Sequence, residues 1–273
     1  MSKKYYNVNN NNKQIIKKMQ KNNQNLANFD ENKRFFVTEA FIGKVKIEGD
    51  EHNHLANVMR FKANDDVILI CNDDYDYYGK IFEISKKFTI VDVQKKVKNI
   101  SNPKIEVTAF VAVNKREPMS LMVRMLSELG VTNFVPITTK WTQGHDEIDK
   151  PERYQKIADQ SAKQCRRSKT LKILQVQKLK EVCKTFNSYD VVLFAYEKED
   201  KFSFEKCLEN IDIKSLSHQK VAFLIGPVAG FDEDEAELII KNGALSISLG
   251  KRILKADTAC VAMATLIMNK FNV

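Results

Sequence analysis

The chain has 273 residues and 31.4 kDa, 43% hydrophobic and 29% charged, enough for one large domain or a small one and a medium one. No run approaches the roughly 18 consecutive apolar residues of a membrane span, no secretory signal opens the sequence, and the five cysteines (Cys71, Cys165, Cys183, Cys207, Cys260) show no C-x-x-C spacing; a soluble, cytoplasmic protein with reduced thiols, no membrane association and no metal is expected. The net charge of +9 invites a nucleic-acid partner, yet residues 1–33 carry +5 of it and leave +4 for the rest, so an RNA site in the folded part has to be a local patch.

Residues 1–31 are rich in Asn and Lys and poor in large apolar side chains, the composition of a disordered tail that cannot offset its ordering entropy. This tail fits two readings, a neutral compositional extension or an electrostatic tether to RNA. From 33 to 98 the pattern changes to short β-like runs (RFFV, KVKI, DDVILIC, YYGKIFEI, KFTIVDVQ) separated by charged turns, which predicts a small β-barrel. Between the second and third runs lies HNHLANVMRF, where His52 and His54 could be imagined as metal ligands, as capping or packing groups, or, with Arg60, as contacts to RNA.

Residues 99–104 form a polar linker around Pro103, and a larger domain is predicted over 104–273. It opens with a strand at 105–113. Pro118 then starts a helix whose face carries Met122, Met125, Leu126 and Leu129, Gly130 ends it, and a strand follows at 131–137. A helix over 152–167 ends in the densest basic cluster of the folded part, Lys163, Arg166, Arg167, Lys169 and Lys172. Cations at a helix C-terminus are favourable in themselves, but phosphate contact is the preferred reading. A short helix is predicted at 179–186, a buried strand at 190–196 and a charged connection at 198–217.

The stretch 221–270 is the most informative. Apolar residues 221–225 have strand length, and Gly226, Pro227 and Gly230 mark a turn. Asp232 and Glu235 have the spacing of an N-cap and its returning carboxylate, and Gly243 follows the predicted helix. The acids 232–235 are thereby explained as a first helical turn without a magnesium ion. A strand at 244–249 leads to Gly250, and 258–268 is apolar on nearly every face, as in a fully buried helix. Alternating strands and helices over 105–273 predict an α/β domain with a mostly parallel sheet. In such sheets ligands bind outside the strand carboxyl ends.

LIGPVAGF followed by LGKRILKADTA resembles the two C-terminal motifs of the ribosomal RNA small-subunit methyltransferase E family, roughly L-I-G-P-E-G-G-[FL] and L-G-x-R-[IV]-L-R-x-E-T-A. Leu224, Ile225, Gly226, Pro227, Gly230, Phe231, Leu249, Gly250, Arg252, Ile253, Leu254, Thr258 and Ala259 are kept, with Asp257 standing for the Glu. His54, Val58 and Arg60 match the family's H-[HL]-x-x-V-[LM]-R segment, and Gln164 with Arg166 and Arg167 its E-Q-x-x-R element. The resemblance covers about residues 33–273.

It implies a SPOUT-type, trefoil-knotted α/β domain behind a PUA-like β-barrel, S-adenosyl-L-methionine as cofactor, N3 of a uridine in 16S ribosomal RNA or the small ribosomal subunit as substrate, and a homodimer. Leu224, Ile225, Gly226, Pro227, Gly230, Leu249, Gly250, Ile253, Leu254 and Thr258 are then the expected cofactor site. His54, Arg60, Arg166, Arg167 and Arg252 are the expected RNA contacts. Lys255 is the candidate for stabilising negative charge on the base, and Asp257 either orients it or caps the last helix. Met125, Trp141, Val228 and Lys255 depart from the family wording. They motivate a second reading, a knotted ribosomal RNA binder that no longer methylates.

Overall fold

The computed structural model describes residues 33–142, 150–209, 211, 216 and 219–271; the tail expected over 1–31 lies outside them. The chain divides into two compact units. One comprises the described residues to Leu69 with Tyr77–Lys96, the other Ile70–Asp76 with the described residues from Val97 on.

The first unit is built on five strands, β1 (Arg34–Phe36), β2 (Gly43–Glu48), β3 (Asp66–Ile70), β4 (Tyr75–Ile84) and β5 (Phe88–Lys98), in the order β1-β3-β4-β5-β2. Each β-like run of the sequence became a strand. In β2 the period of two sends Val45 and Ile47 inward and Lys44, Lys46 and Glu48 to solvent. Gly79 in β4 lets β5 close in, since a Cβ there would stand 2.6 Å from the Asp92 carbonyl oxygen.

Between β2 and β3 a short helix, α1 (Gly49–Asn53), runs into a π-helical turn over His54–Val58. His52 is buried, its Nδ1 2.9 Å from Thr89 Oγ1, whereas His54 is exposed beside the Phe35 ring. The two histidines therefore face different surroundings. Among the described residues no group of His, Cys, Asp and Glu could hold a metal ion.

The second unit is a parallel sheet with helices on both faces. Its strands are β6 (Glu106–Ala112), β7 (Asn133–Thr138), β8 (Lys172–Ile173), β9 (Gln177–Lys178), β10 (Val191–Ala195), β11 (Lys220–Ile225) and β12 (Leu245–Ile247), in the order β12-β10-β11-β6-β7-β8, with β9 also on β7. β6, β10 and β11 are buried almost throughout, as both-sided coverage demands. Alternate residues define two cores. Val107, Val111, Leu193, Phe223 and Ile225 face the side holding α2 (Arg116–Glu128), α3 (Pro151–Gln164) and α7 (Ala256–Phe271). Phe110, Val192, Phe194 and Leu224 face α4 (Leu179–Cys183) and α6 (Glu233–Lys241).

Three expectations change in detail. The α2 helix starts at Arg116, so Pro118 sits inside its first turn, where a missing N–H still leaves no helical bond unmade. The charged connection after β10 contains a short helix, α5 (Phe204–Cys207), capped by the Ser203 side chain. Only one face of α7 is buried (Ala259, Cys260, Met263, Ala264, Ile267 and Phe271), while Thr258 and Thr265 are exposed and Val261, Ala262, Leu266 and Met268 only half-buried. Composition marked α7 as apolar but could not say which face met the sheet. The five cysteines form no disulfide, and burial pushes the Cys183 thiol up to about 11.

Arg167 departs furthest from expectation. Its side chain is 1% exposed, and Nη1 donates to the carbonyls of Ser127 at 2.7 Å and Val131 at 3.0 Å, tying the end of α2 to the turn after α3. A buried guanidinium bonded this way is no surface contact for RNA. Desolvation lowers its pKa, and its Nε and Nη2 have no hydrogen-bond partner among the described residues. Arg167→Ala is expected to cost about 3 kcal/mol of folding stability, because two carbonyls lose a charged donor and a void opens. Urea unfolding of the variant measures it, and a midpoint equal to wild type would refute the assignment.

Candidate cofactor and substrate site

Strands β11, β10 and β12 lie side by side and parallel, so the loops leaving their carboxyl ends converge. Together with Asn114 after β6 they enclose a cavity of about 660 Å³. One wall is the turn after β11, closed by Gly230 N donating to Pro227 O at 2.9 Å. The opposite wall is the 248–255 segment after β12, and the floor is the end of β10.

The glycines serve different ends. At Gly226 the need is space: a Cβ would stand 2.9 Å from two ring carbons of Phe231, a buried residue packed edge-on to Phe194. At Gly250 it is conformation, with φ at +105° and open surroundings.

The first wall is anchored by the helix that follows it. Asp232 caps α6, accepting from Asp234 N at 3.3 Å, while Glu235 Oε2 accepts from Asp232 N at 3.2 Å, the reciprocal box read from the sequence. Both acids also hold Lys140: its Nζ lies 2.7 Å from Asp232 Oδ2 and its backbone N donates to Glu235 Oε1 at 2.7 Å. The hydrogen bond from Lys140 depresses the Asp232 carboxyl below its ordinary range. A depressed folded-state pKa means the clamp holds above the ordinary aspartate range and is lost as pH falls through the lowered value. Trp141, the only tryptophan, stands beside the Lys140 ammonium, 5.3 Å from ring centroid to Nζ. Acid titration of tryptophan fluorescence should thus show a transition below about pH 3.9, absent in Asp232→Asn. A transition that persists in that variant would assign it elsewhere.

Of the expected cofactor residues, Ile225, Gly226, Pro227, Gly230, Leu249, Gly250, Ile253 and Leu254 line the cavity. Leu224 does not, because it alternates away from Ile225 into the core on the other sheet face. Thr258 is exposed on α7 and also lies off the lining. Lys255 and Asp257 both line the cavity. Asp257 Oδ1 accepts the Thr258 N–H at 2.8 Å, serving the first turn of α7, and no bond joins it to Lys255. The Lys255 side chain is solvent-exposed.

The expected RNA residues are dispersed. His54 and Arg60 stand exposed on the first unit, Arg60 in the left-handed region at φ +56°. Arg166 is exposed, also left-handed at φ +65°, and its carbonyl accepts from Asn99 Nδ2 at 2.9 Å. Lys169 pairs with Asp74 at 2.6 Å. Arg252 lines the cavity with Lys251 and Lys255. Sequence reasoning missed Asn114, Pro118, Ala195, Tyr196 and Glu197 as lining residues. The strand ahead of Tyr196 was legible, but its position between β11 and β12 is a fact of sheet order.

Residues 101–268 match the RNA methyltransferase domain family and residues 47–94 the RNA methyltransferase PUA domain family. Fold, site and family match thus define an RNA methyltransferase domain that follows a PUA-like domain in the chain. The similar proteins narrow the class. The ribosomal RNA small subunit methyltransferase E of Rickettsia conorii is 30% identical over 220 residues, covering 80% of this chain and 86% of its own. The enzyme of the same name from the Buchnera aphidicola of Acyrthosiphon pisum is 29% identical, covering 81% and 87%. The chain belongs to the ribosomal RNA small subunit methyltransferase E family. Its fold is shared with the Neisseria gonorrhoeae enzyme of that name, solved bound to S-adenosyl methionine, at a TM-score of 0.76 and 20% identity over 86% of this chain and 96% of that one.

Proposed function

We propose that the protein transfers a methyl group from S-adenosyl-L-methionine to N3 of a uridine in 16S ribosomal RNA of the small subunit, in the cytoplasm. The observation that carries this reading is the convergence of the two family motifs on one cavity at the ends of β11 and β12. The residues present fit such a cofactor. The 226–230 turn forms one wall, Ile225, Leu249 and Leu254 supply apolar surface, and Asp257 supplies an acceptor carboxylate. When bound, the cofactor supplies an electrophilic methyl group.

The chain's own residues prepare the base. Uracil N3 carries a proton and becomes a nucleophile only when that proton has passed to solvent water, so the site has to favour the anionic base. Lys255 provides a cation at the cavity for the negative charge that spreads onto the base carbonyl oxygens. Arg252 and Lys251 offer positive charge to flanking phosphates, Arg166 is a further exposed cation of the second unit, and His54 and Arg60 are separate candidate RNA contacts on the first unit. Of the four departures behind the binding-only alternative, Val228 and Lys255 line the cavity while Met125 is a half-buried residue of α2 and Trp141 lies off the lining; membership of a methyltransferase family is what favours the enzyme. Mass spectrometry of ribosomal RNA from cells with and without the gene tests the proposal. Loss of 3-methyluridine on deletion is expected, and its persistence would overturn the assignment.

A homodimer is part of this reading. Val261 and Ala262, half-buried on α7, leave apolar surface that a second copy would cover, whereas Leu266 and Met268 already pack against the core. Sedimentation is expected to give a species of twice 31.4 kDa. A single monomer boundary at working concentrations would count against it.

A further inference from the structure

The floor of the cavity carries a charge that the reaction as described does not use. Glu197 follows β10, the strand between those whose loops form the two walls. Its carboxylate rests against Gly230, in space that exists because Gly230 has no side chain: a Cβ there would overlap Glu197 Oε1. Gly230 also needs its left-handed φ of +77°. The carboxylate thus lies directly against the turn.

The neighbouring cation does not occupy it, since Lys198 Nζ bonds Glu233 Oε1 at 2.7 Å. The other lining acid, Asp257, holds the Thr258 N–H. Glu197 is thus a lining carboxylate with no hydrogen-bond or ion-pair partner among the described residues, in a cavity whose remaining charged groups are Lys251, Arg252 and Lys255.

A partnerless carboxylate in a ligand cavity selects for positive charge. Resting on the cofactor reading above, we propose that Glu197 makes the site prefer the sulfonium cofactor over its demethylated product. S-adenosylmethionine carries a positive sulfur that S-adenosylhomocysteine lacks, and the two are otherwise the same molecule. A fixed negative charge near the sulfur stabilises the first through the sulfonium, while its effect on the α-ammonium is common to both ligands and cancels from the preference. The consequence is release of the spent cofactor, because transfer of the methyl group removes the charge that Glu197 attracts.

Titration calorimetry with both ligands, on wild type and on Glu197→Gln, tests this. Glutamine keeps the size of the side chain and removes its charge. The variant is expected to bind S-adenosylmethionine roughly five- to tenfold more weakly and S-adenosylhomocysteine within twofold of wild type, the second ligand serving as its control for folding. Added salt should shrink the wild-type preference and leave the variant's unchanged. Equal losses for both ligands, a larger loss for S-adenosylhomocysteine, or no loss for either would overturn the proposal. If wild type binds neither ligand, it is the cofactor reading that fails.

Discussion

Gly226→Val is expected to abolish S-adenosylmethionine binding, at least about a hundredfold in affinity, while RNA binding persists. The reason is local overpacking. A Cβ at position 226 already meets the Phe231 ring at 2.9 Å, and valine adds two further carbons. Phe231 cannot swing away freely, being 5% exposed and set against Phe194 with ring centroids 5.1 Å apart. Overpacking of this kind costs about 1–3 kcal/mol, and the part of the structure able to yield is the 226–230 turn, which is the cavity wall. Gly226→Ala should show the same defect in weaker form, because Gly226 does not need a left-handed φ. Calorimetry gives the affinities, and RNA binding by the same preparations shows that the fold is intact. Normal cofactor affinity in the valine variant would mean that the turn has been misread.

Lys255→Ala is expected to have the opposite profile. Cofactor affinity should stay within a few-fold of wild type, since the walls of the cavity are backbone turns the substitution leaves alone. Methyl transfer should fall by about 10² or more, the usual loss when one charge-stabilising group is removed. Lys255→Arg keeps the charge and should recover part of the rate. Single-turnover assays on small subunits separate transfer from cofactor binding, and a wild-type rate in the alanine variant would remove Lys255 from the proposed chemistry.

What was legible in the sequence was local chemistry. The Asp232 and Glu235 box, the strand ending at Ile225 and the turn at Gly250 are each specified by residues a few positions apart, and each stands where it was expected. What was not legible depends on partners distant along the chain. Arg167 reads as one more cation in a basic cluster until Ser127 and Val131 are seen to enclose it. Leu224 shares a motif with Ile225 but faces the opposite side of the sheet. Glu197 reads as a loop acid, and only the order β12-β10-β11 puts it in the cavity.

That strand order also sets a timetable for synthesis. Strand β6 is among the first parts of the second unit to be made, yet its neighbour β11 pairs Lys220 with Glu106 and is translated roughly a hundred residues later. At the usual ribosomal pace of about 5–20 residues per second, one edge of β6 waits some seconds for its partner. Through that interval the apolar run Val107–Val111 lacks the strand that will cover that edge, the kind of surface that chaperones bind and that nascent chains aggregate through. A ribosome stalled before β11 would therefore hold a chain with β7 to pair with on one side, an open edge on the other, and no cavity.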